Sequence, residues 1–374
     1  MRRLRYARLP LMLLITTGVL SGGCGTAEKA KPPPPPSPPE SKAAAVTPAM
    51  LRVDGSVNGI AFSADGARIA VGIRAFGSGS PPSSVTVWDR QCKQLAHLKT
   101  PAAVQAVGFA AGDLLVACAW IQSGQGVPPD TPAFYAWAAP DYRPVTLPKD
   151  RLGGAEMMAA SPASHFVAIY NSDQERRSGK VTLIDSRTWK TAAEWETPDP
   201  GRCLAFSPDG RELAVVARHT VTFRTIGDPP AKDRQAPLEG PVFRCHNLLC
   251  YSADGKRLAV CDGGVTLRDR DLNVLKAVCD PPAQLSGGRV KGNMFVDPAP
   301  RYISAVAVSP DAQRVFYAHN EFGPYSFDTR TGTTRRIPVA EREVTVLTVS
   351  PDGKLLAVGG RTSGQVVLVD LTTQ

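Results

Sequence analysis

Four side chains in one stretch of this 374-residue chain have the types a zinc site would use: Cys245, His246, Cys250 and Cys261. Structural zinc needs such donors to converge tetrahedrally at characteristic spacings, and this spacing matches no zinc knuckle. The segments around them read as strands, where a small cysteine packs well, so no metal is expected. Beyond Cys24 the cysteines are Cys92, Cys118, Cys203, Cys245, Cys250, Cys261 and Cys279. Seven is odd, which excludes a complete disulfide framework within one chain. One bridge among the four that cluster between 245 and 279, or buried free thiols, are the two readings left. The five histidines (97, 165, 219, 246 and 319) are scattered. A hydrolase needs a nucleophile, a base and an orienting acid, and no G-x-S-x-G elbow occurs. The pairs Gly153-Gly154, Gly287-Gly288 and Gly359-Gly360 lack the Lys-Ser/Thr and helix pattern of a phosphate cradle. Recurrent aspartates are the remaining candidates, and they sit in Ser-Pro-Asp-Gly turns that lack the alternating oxygen donors of a calcium loop.

Charge narrows the partners. The formal net charge is +9, but Arg2, Arg3, Arg5 and Arg8 precede any acidic residue. Without them 39 basic residues face 34 acidic ones, a balance of +5 with no Lys/Arg run. Nucleic-acid binding needs a basic stripe, so none is expected.

The basic start leads into an apolar run, Leu9 to Leu20, and small residues before Cys24. That order is a secretory signal, and the run falls short of the ~20 residues of a spanning helix. The ending LSGGC resembles a bacterial lipobox, which implies that Cys24 is lipidated and becomes the new N-terminus. Ser21 stands where the lipobox has Leu, so plain cleavage stays open. Residues 1–23 are thus expected to be a signal peptide and 24–46 a linker. Seven of the eight residues Pro32 to Pro39 are proline, a stiff polyproline II spacer at ~3.1 Å per residue. The expected location is exported, at a membrane facing the periplasm or exterior, or soluble there if Cys24 is only a cleavage site.

What must position any chemistry in 47–374 is a repeat. The turns are FSADG (Phe62 to Gly66), FAAGD (Phe109 to Asp113), ASPAS (Ala160 to Ser164), FSPDG (Phe206 to Gly210), YSADG (Tyr251 to Gly255), VSPDA (Val308 to Ala312) and VSPDG (Val349 to Gly353). They recur every 41–57 residues. Each has apolar stretches on both sides, and third strands ending in Asp follow: VTVWD to Asp89, VTLID to Asp185, VTLRD to Asp269 and VVLVD to Asp370. Pro presets φ, Asp bonds the local backbone and Gly accepts positive φ, which makes a tight turn. Four short strands per repeat of this length make a propeller blade. The expected fold is all-β: a seven-bladed β-propeller of four-stranded antiparallel blades.

At these residues the chain resembles the WD-repeat propeller family, particularly its bacterial members, and secondly the propellers of Tol-type periplasmic proteins. Trp88-Asp89 is the one literal WD pair; Trp137-Ala138 and Arg224-Thr225 replace it in the second and fourth copies. The seventh copy ends after its third strand. The resemblance implies that an N-terminal strand around Met50 to Val53 completes blade seven.

Such folds host many functions. The expectation is a non-catalytic scaffold for protein interaction, with no cofactor. The alternative is a propeller enzyme of the quinone-dependent dehydrogenase, lactonase or lyase type, which would line its channel with polar or metal-binding groups. The channel-side stretches read GIAFS, AVGFA, CLAFS, AVAVS and VLTVS, nearly without ionisable residues, and favour the scaffold.

In an antiparallel blade the connections from strand two to three and from strand four to the next blade share one face. The long ones, Arg74 to Ser84, Ile121 to Pro132, Asn171 to Lys180 and Asp280 to Pro300, all belong to it. Insertions on one face of a repeat protein often mark its binding face. The anchors expected there are Phe76, Trp120, Arg176, Arg177, Arg289, Phe295, Phe322 and Arg361, because aromatic and Arg side chains dominate interfaces.

Overall fold

The computed structural model describes residues 49–75, 83–120, 133–148, 155–173, 178–197, 201–217, 220–227, 233–238, 248–262, 264–279, 289–291, 294–296, 302–319 and 322–373. Seven four-stranded antiparallel sheets make seven blades, and no helix occurs among these residues. The first strands of the blades are Ser56–Phe62, Ala103–Ala110, Met157–Ala160, Gly201–Phe206, Leu249–Tyr251, Ile303–Val308 and Val344–Val349. Each touches the first strand of the next blade, and the seventh touches the first, so they form a closed inner ring.

Burial explains why the strands do not simply alternate. A blade is packed between two others, so its inner strands are covered on both faces and read as apolar runs. Arg68–Arg74 (RIAVGIR) is buried from Ile69 to Ile73. Outer strands face solvent: Gln94–Lys99 (QLAHLK) and Val274–Cys279 (VLKAVC) are largely exposed.

Ala49–Arg52 completes blade seven as expected. It runs antiparallel to Gln365–Asp370, with Ala49 opposite Leu368 and Arg52 opposite Gln365. Leu51 is fully buried in a cluster with Val57, Ile73, Val366 and Leu368 that spans blades one and seven. The Val53 N–H extends the contact by donating to Gly364 O at 2.9 Å.

In five of the seven blades the turns share one hydrogen-bonding scheme. Ser207 Oγ donates to Asp209 Oδ1 at 2.6 Å and accepts from the Glu212 N–H at 2.9 Å, while Asp209 Oδ1 accepts from the Arg211 N–H at 3.1 Å. The same Ser–Asp bond occurs at Ser63, Ser252, Ser309 and Ser350. Gly66, Gly210, Gly255 and Gly353 take φ of 67–72°. Ala312 sits in that left-handed region at φ 55° without glycine's freedom. Turn chemistry therefore accounts for the recurrent aspartates.

Two connections differ from the loops expected. Blade three's second and third strands continue to Asp173 and from Ser178, so most of 171–180 is an extended hairpin. The connection 280–300 carries a two-stranded hairpin of its own, Arg289–Lys291 with Met294–Val296.

Candidate functional site

Five residues before each turn position the sequence carries a polar residue: Asn58, Gln105, Glu156, Arg202, Asn247, Ser304 and Thr345. In five blades this residue is the extra one of a β-bulge. The pairing shifts between Val57 and Gly59, Val104 and Ala106, Gly201 and Cys203, Ile303 and Ala305, and Val344 and Val346. A bulge leaves one residue out of the ladder and re-aims its side chain. Glu156 directly precedes its strand, its N–H donating to Tyr170 O at 3.0 Å; Asn247 lies outside the described residues. Since these positions begin the first strands, they lie at the end of the inner ring where the long connections emerge.

The side chains are organised around the ring. Asn58 Nδ2 donates to Val104 O of the next blade at 3.1 Å. Thr345 Oγ1 repeats this one blade earlier, donating to Val57 O at 2.6 Å. Ser304 Oγ turns instead to Ala318 O at 3.2 Å in its own blade, and the Glu156 carboxylate accepts from Ser172 Oγ. Gln105 is buried with Nε2 lacking any partner among the described residues, and so is Ser56 Oγ in the neighbouring blade. Such groups mark sites where an outside acceptor or donor fits.

Charge is gathered near the same end. Arg74 and Arg361 close the second strands of blades one and seven; burial first, and the positive charge of Arg361 second, lower the pKa of Arg74 from the ordinary guanidinium value. The buried Glu341 carboxylate accepts from Thr362 Oγ1 at 3.0 Å, the Ser363 N–H at 3.0 Å and the Glu343 N–H at 2.9 Å, and so shapes the 361–364 connection. A Cβ on Gly360 would collide with that carboxylate.

Of the expected anchors, Arg361 and Phe322 are exposed, and Phe322 meets His319 edge-on at 6.2 Å. Trp120, Arg289 and Phe295 are placed by their backbones at strand ends or in the 289–296 hairpin. Phe76, Arg176, Arg177 and Cys24 lie outside the described residues, as do Cys245 and His246 of the zinc reading. Cys250, Cys261 and Cys279 sit on strands with no disulfide among the three.

The polar ring escapes the sequence reading because each channel-side stretch starts one residue after it. GIAFS begins after Asn58, AVGFA after Gln105, CLAFS after Arg202, AVAVS after Ser304 and VLTVS after Thr345. The near absence of ionisable groups therefore holds for those stretches and not for the strand starts, where Arg202 and Glu156 stand. The fixed offset from the turn was the available signal. No model of a known protein family matches the chain, and no curated protein matches it. Chemically, Gln105 Nε2 and Ser56 Oγ are left without partners at this end among the described residues, with the exposed Arg361 and Phe322 on the surrounding connections.

Proposed function

We propose that this chain is an exported, lipid-anchored propeller of the WD-repeat kind that acts as a non-catalytic platform for a protein partner at the cell envelope. The observation that carries the reading is that, among the described residues, polar residues of six blades and the strand ends that lead into the long connections lie at one end of the inner ring. The polar ring shapes the floor of that end, where Gln105 Nε2 and Ser56 Oγ have no partner among the described residues, while the exposed Arg361 and Phe322 supply anchors. The basic and apolar start, the Cys24 lipobox and the proline spacer support tethering with that surface held away from the membrane.

The test is capture from detergent-solubilised envelope by the wild type and by a variant with Trp120, Arg176, Arg177 and Arg289 all replaced by Ala. The variant is expected to melt like the wild type and to lose the partner. Recovery of the same partner at wild-type yield contradicts the binding face.

A further inference from the structure

Cys279 ends the outermost strand of blade five, and His319 ends the second strand of blade six. Strand ends of these two kinds lead into the long-connection face, so the two residues meet at the boundary between the blades. Cys279 Sγ and His319 Nε2 are 3.9 Å apart, within hydrogen-bonding reach for sulfur. The imidazole is held by aromatic rings on three sides: Tyr317 at 5.8 Å and 75°, Tyr325 at 5.8 Å and 90°, and Phe322 at 6.2 Å and 78°. Edge-to-face packing of this kind is favourable and directional. Tyr317 and Tyr325 are themselves stacked at 5.5 Å. A ring fixed this way presents Nε2 to the thiol without a search over rotamers. Tyr317 stays a neutral donor beside the sulfur, its pKa raised to about 12 first by burial and then by Cys279.

Several other cysteines sit in surroundings that disfavour the thiolate. Cys118 and Cys203 are buried, and burial pushes their thiols up, Cys118 to about 12. Burial likewise raises Cys250 to about 11. Cys92 is raised by burial and by the negative charge of Asp89. Thiolate is the reactive form, and an adjacent imidazole favours it. Cys279 is also only partly buried, so a small reagent has access to it.

We propose that Cys279 and His319 form a thiol–imidazole pair whose substrate class is an accessible disulfide and whose product is a mixed disulfide at Cys279. His319 Nε2 takes the thiol proton, and Sγ attacks one sulfur of the disulfide. The S–S bond of the substrate breaks as the Sγ–S bond forms. The departing thiolate recovers the proton from Nε2, so one disulfide is consumed, one is formed and no further oxidant enters. The inference is independent of the partner-binding reading, because it rests on two side chains and their aromatic frame.

The test treats the full chain with glutathione disulfide and follows glutathionylation cysteine by cysteine by peptide mass mapping. Cys279 is expected to react at least about tenfold faster than Cys92, the internal control of similar accessibility. His319→Gln is expected to slow Cys279 by about tenfold or more while the Cys92 rate and the melting temperature stay at wild-type values. A Cys279 rate no greater than that of Cys92 in the wild type overturns the proposal without recourse to any variant. An unchanged Cys279 rate in His319→Gln overturns it as well.

Discussion

The two faces of the disc follow opposite rules. On the face of the Ser-Asp-Gly turns, one hydrogen-bonding scheme recurs, and neighbouring blades are clipped together there. Arg68 of blade one reaches Asp113 of blade two at 2.6 Å, and Arg90 of blade one reaches Asp352 of blade seven at 2.8 Å. Glu212 of blade four accepts from Arg234 at 2.6 Å and from the Tyr251 hydroxyl of blade five at 3.2 Å. On the opposite face the connections differ in length and composition, and the bulge position keeps its polarity while its residue changes from blade to blade. Where the fold needs a tight turn, chemistry repeats. Where it needs only some polar group at a bulge, the residue is free to vary.

The largest expected effect removes the frame on which both faces depend. Truncation through Val53 deletes the strand that closes blade seven and takes the fully buried Leu51 with it. Loss of one buried leucine alone costs about 2–5 kcal/mol, so urea unfolding should show a loss of at least about 3 kcal/mol. An unchanged midpoint would mean that the ring does not close through this strand.

Acid separates the faces next. Asp65, Asp209 and Asp254 are held below the usual carboxylate value chiefly by the Ser hydroxyls of their own turns, and Asp352 chiefly by Arg90. Asp311 is lowered despite its burial, through Ser309 and the Gln313 N–H. Because the folded values lie below the unfolded ones, this contribution is complete above about pH 4 and fades as pH falls through the lower folded values. Melting temperature should therefore hold through neutral pH and decline below about pH 4. In a variant with all five aspartates changed to Asn, the decline should shrink. An equally steep decline in that variant would remove these five turns as its origin.

A smaller effect isolates one turn. Gly255 has φ 67°, and an added Cβ would meet only Pro208 Cδ at an ordinary 3.6 Å. Gly255→Ala should cost about 1 kcal/mol, from backbone conformation rather than collision. No loss in urea unfolding would show that the turn relaxes.

The turn face was legible in the sequence because its chemistry is local. Ser, Asp and Gly lie within four positions, and even ASPAS forms the turn, with Ser161 Oγ accepting from the Ser164 N–H at 3.1 Å. The polar ring of the other face was not legible, because it is assembled across blades. Nothing local to Asn58 announces a bond to Val104 O, and a bulge leaves no mark beyond one polar residue in an apolar run. The meeting of Cys279 with His319, 40 residues apart, depends on the packing of two blades. The 289–296 hairpin lay inside a stretch whose Gly and Pro content reads as loop.

The separation of the two faces is tested most directly by measuring melting temperature and partner capture side by side in one variant from each. Gly255→Ala should lower the melting temperature and leave capture from solubilised envelope at the wild-type level. The Trp120, Arg176, Arg177 and Arg289 to Ala variant should keep the melting temperature and lose capture. Loss of capture in Gly255→Ala at a temperature where it is fully folded, or retention of capture in the four-fold variant, would contradict the account.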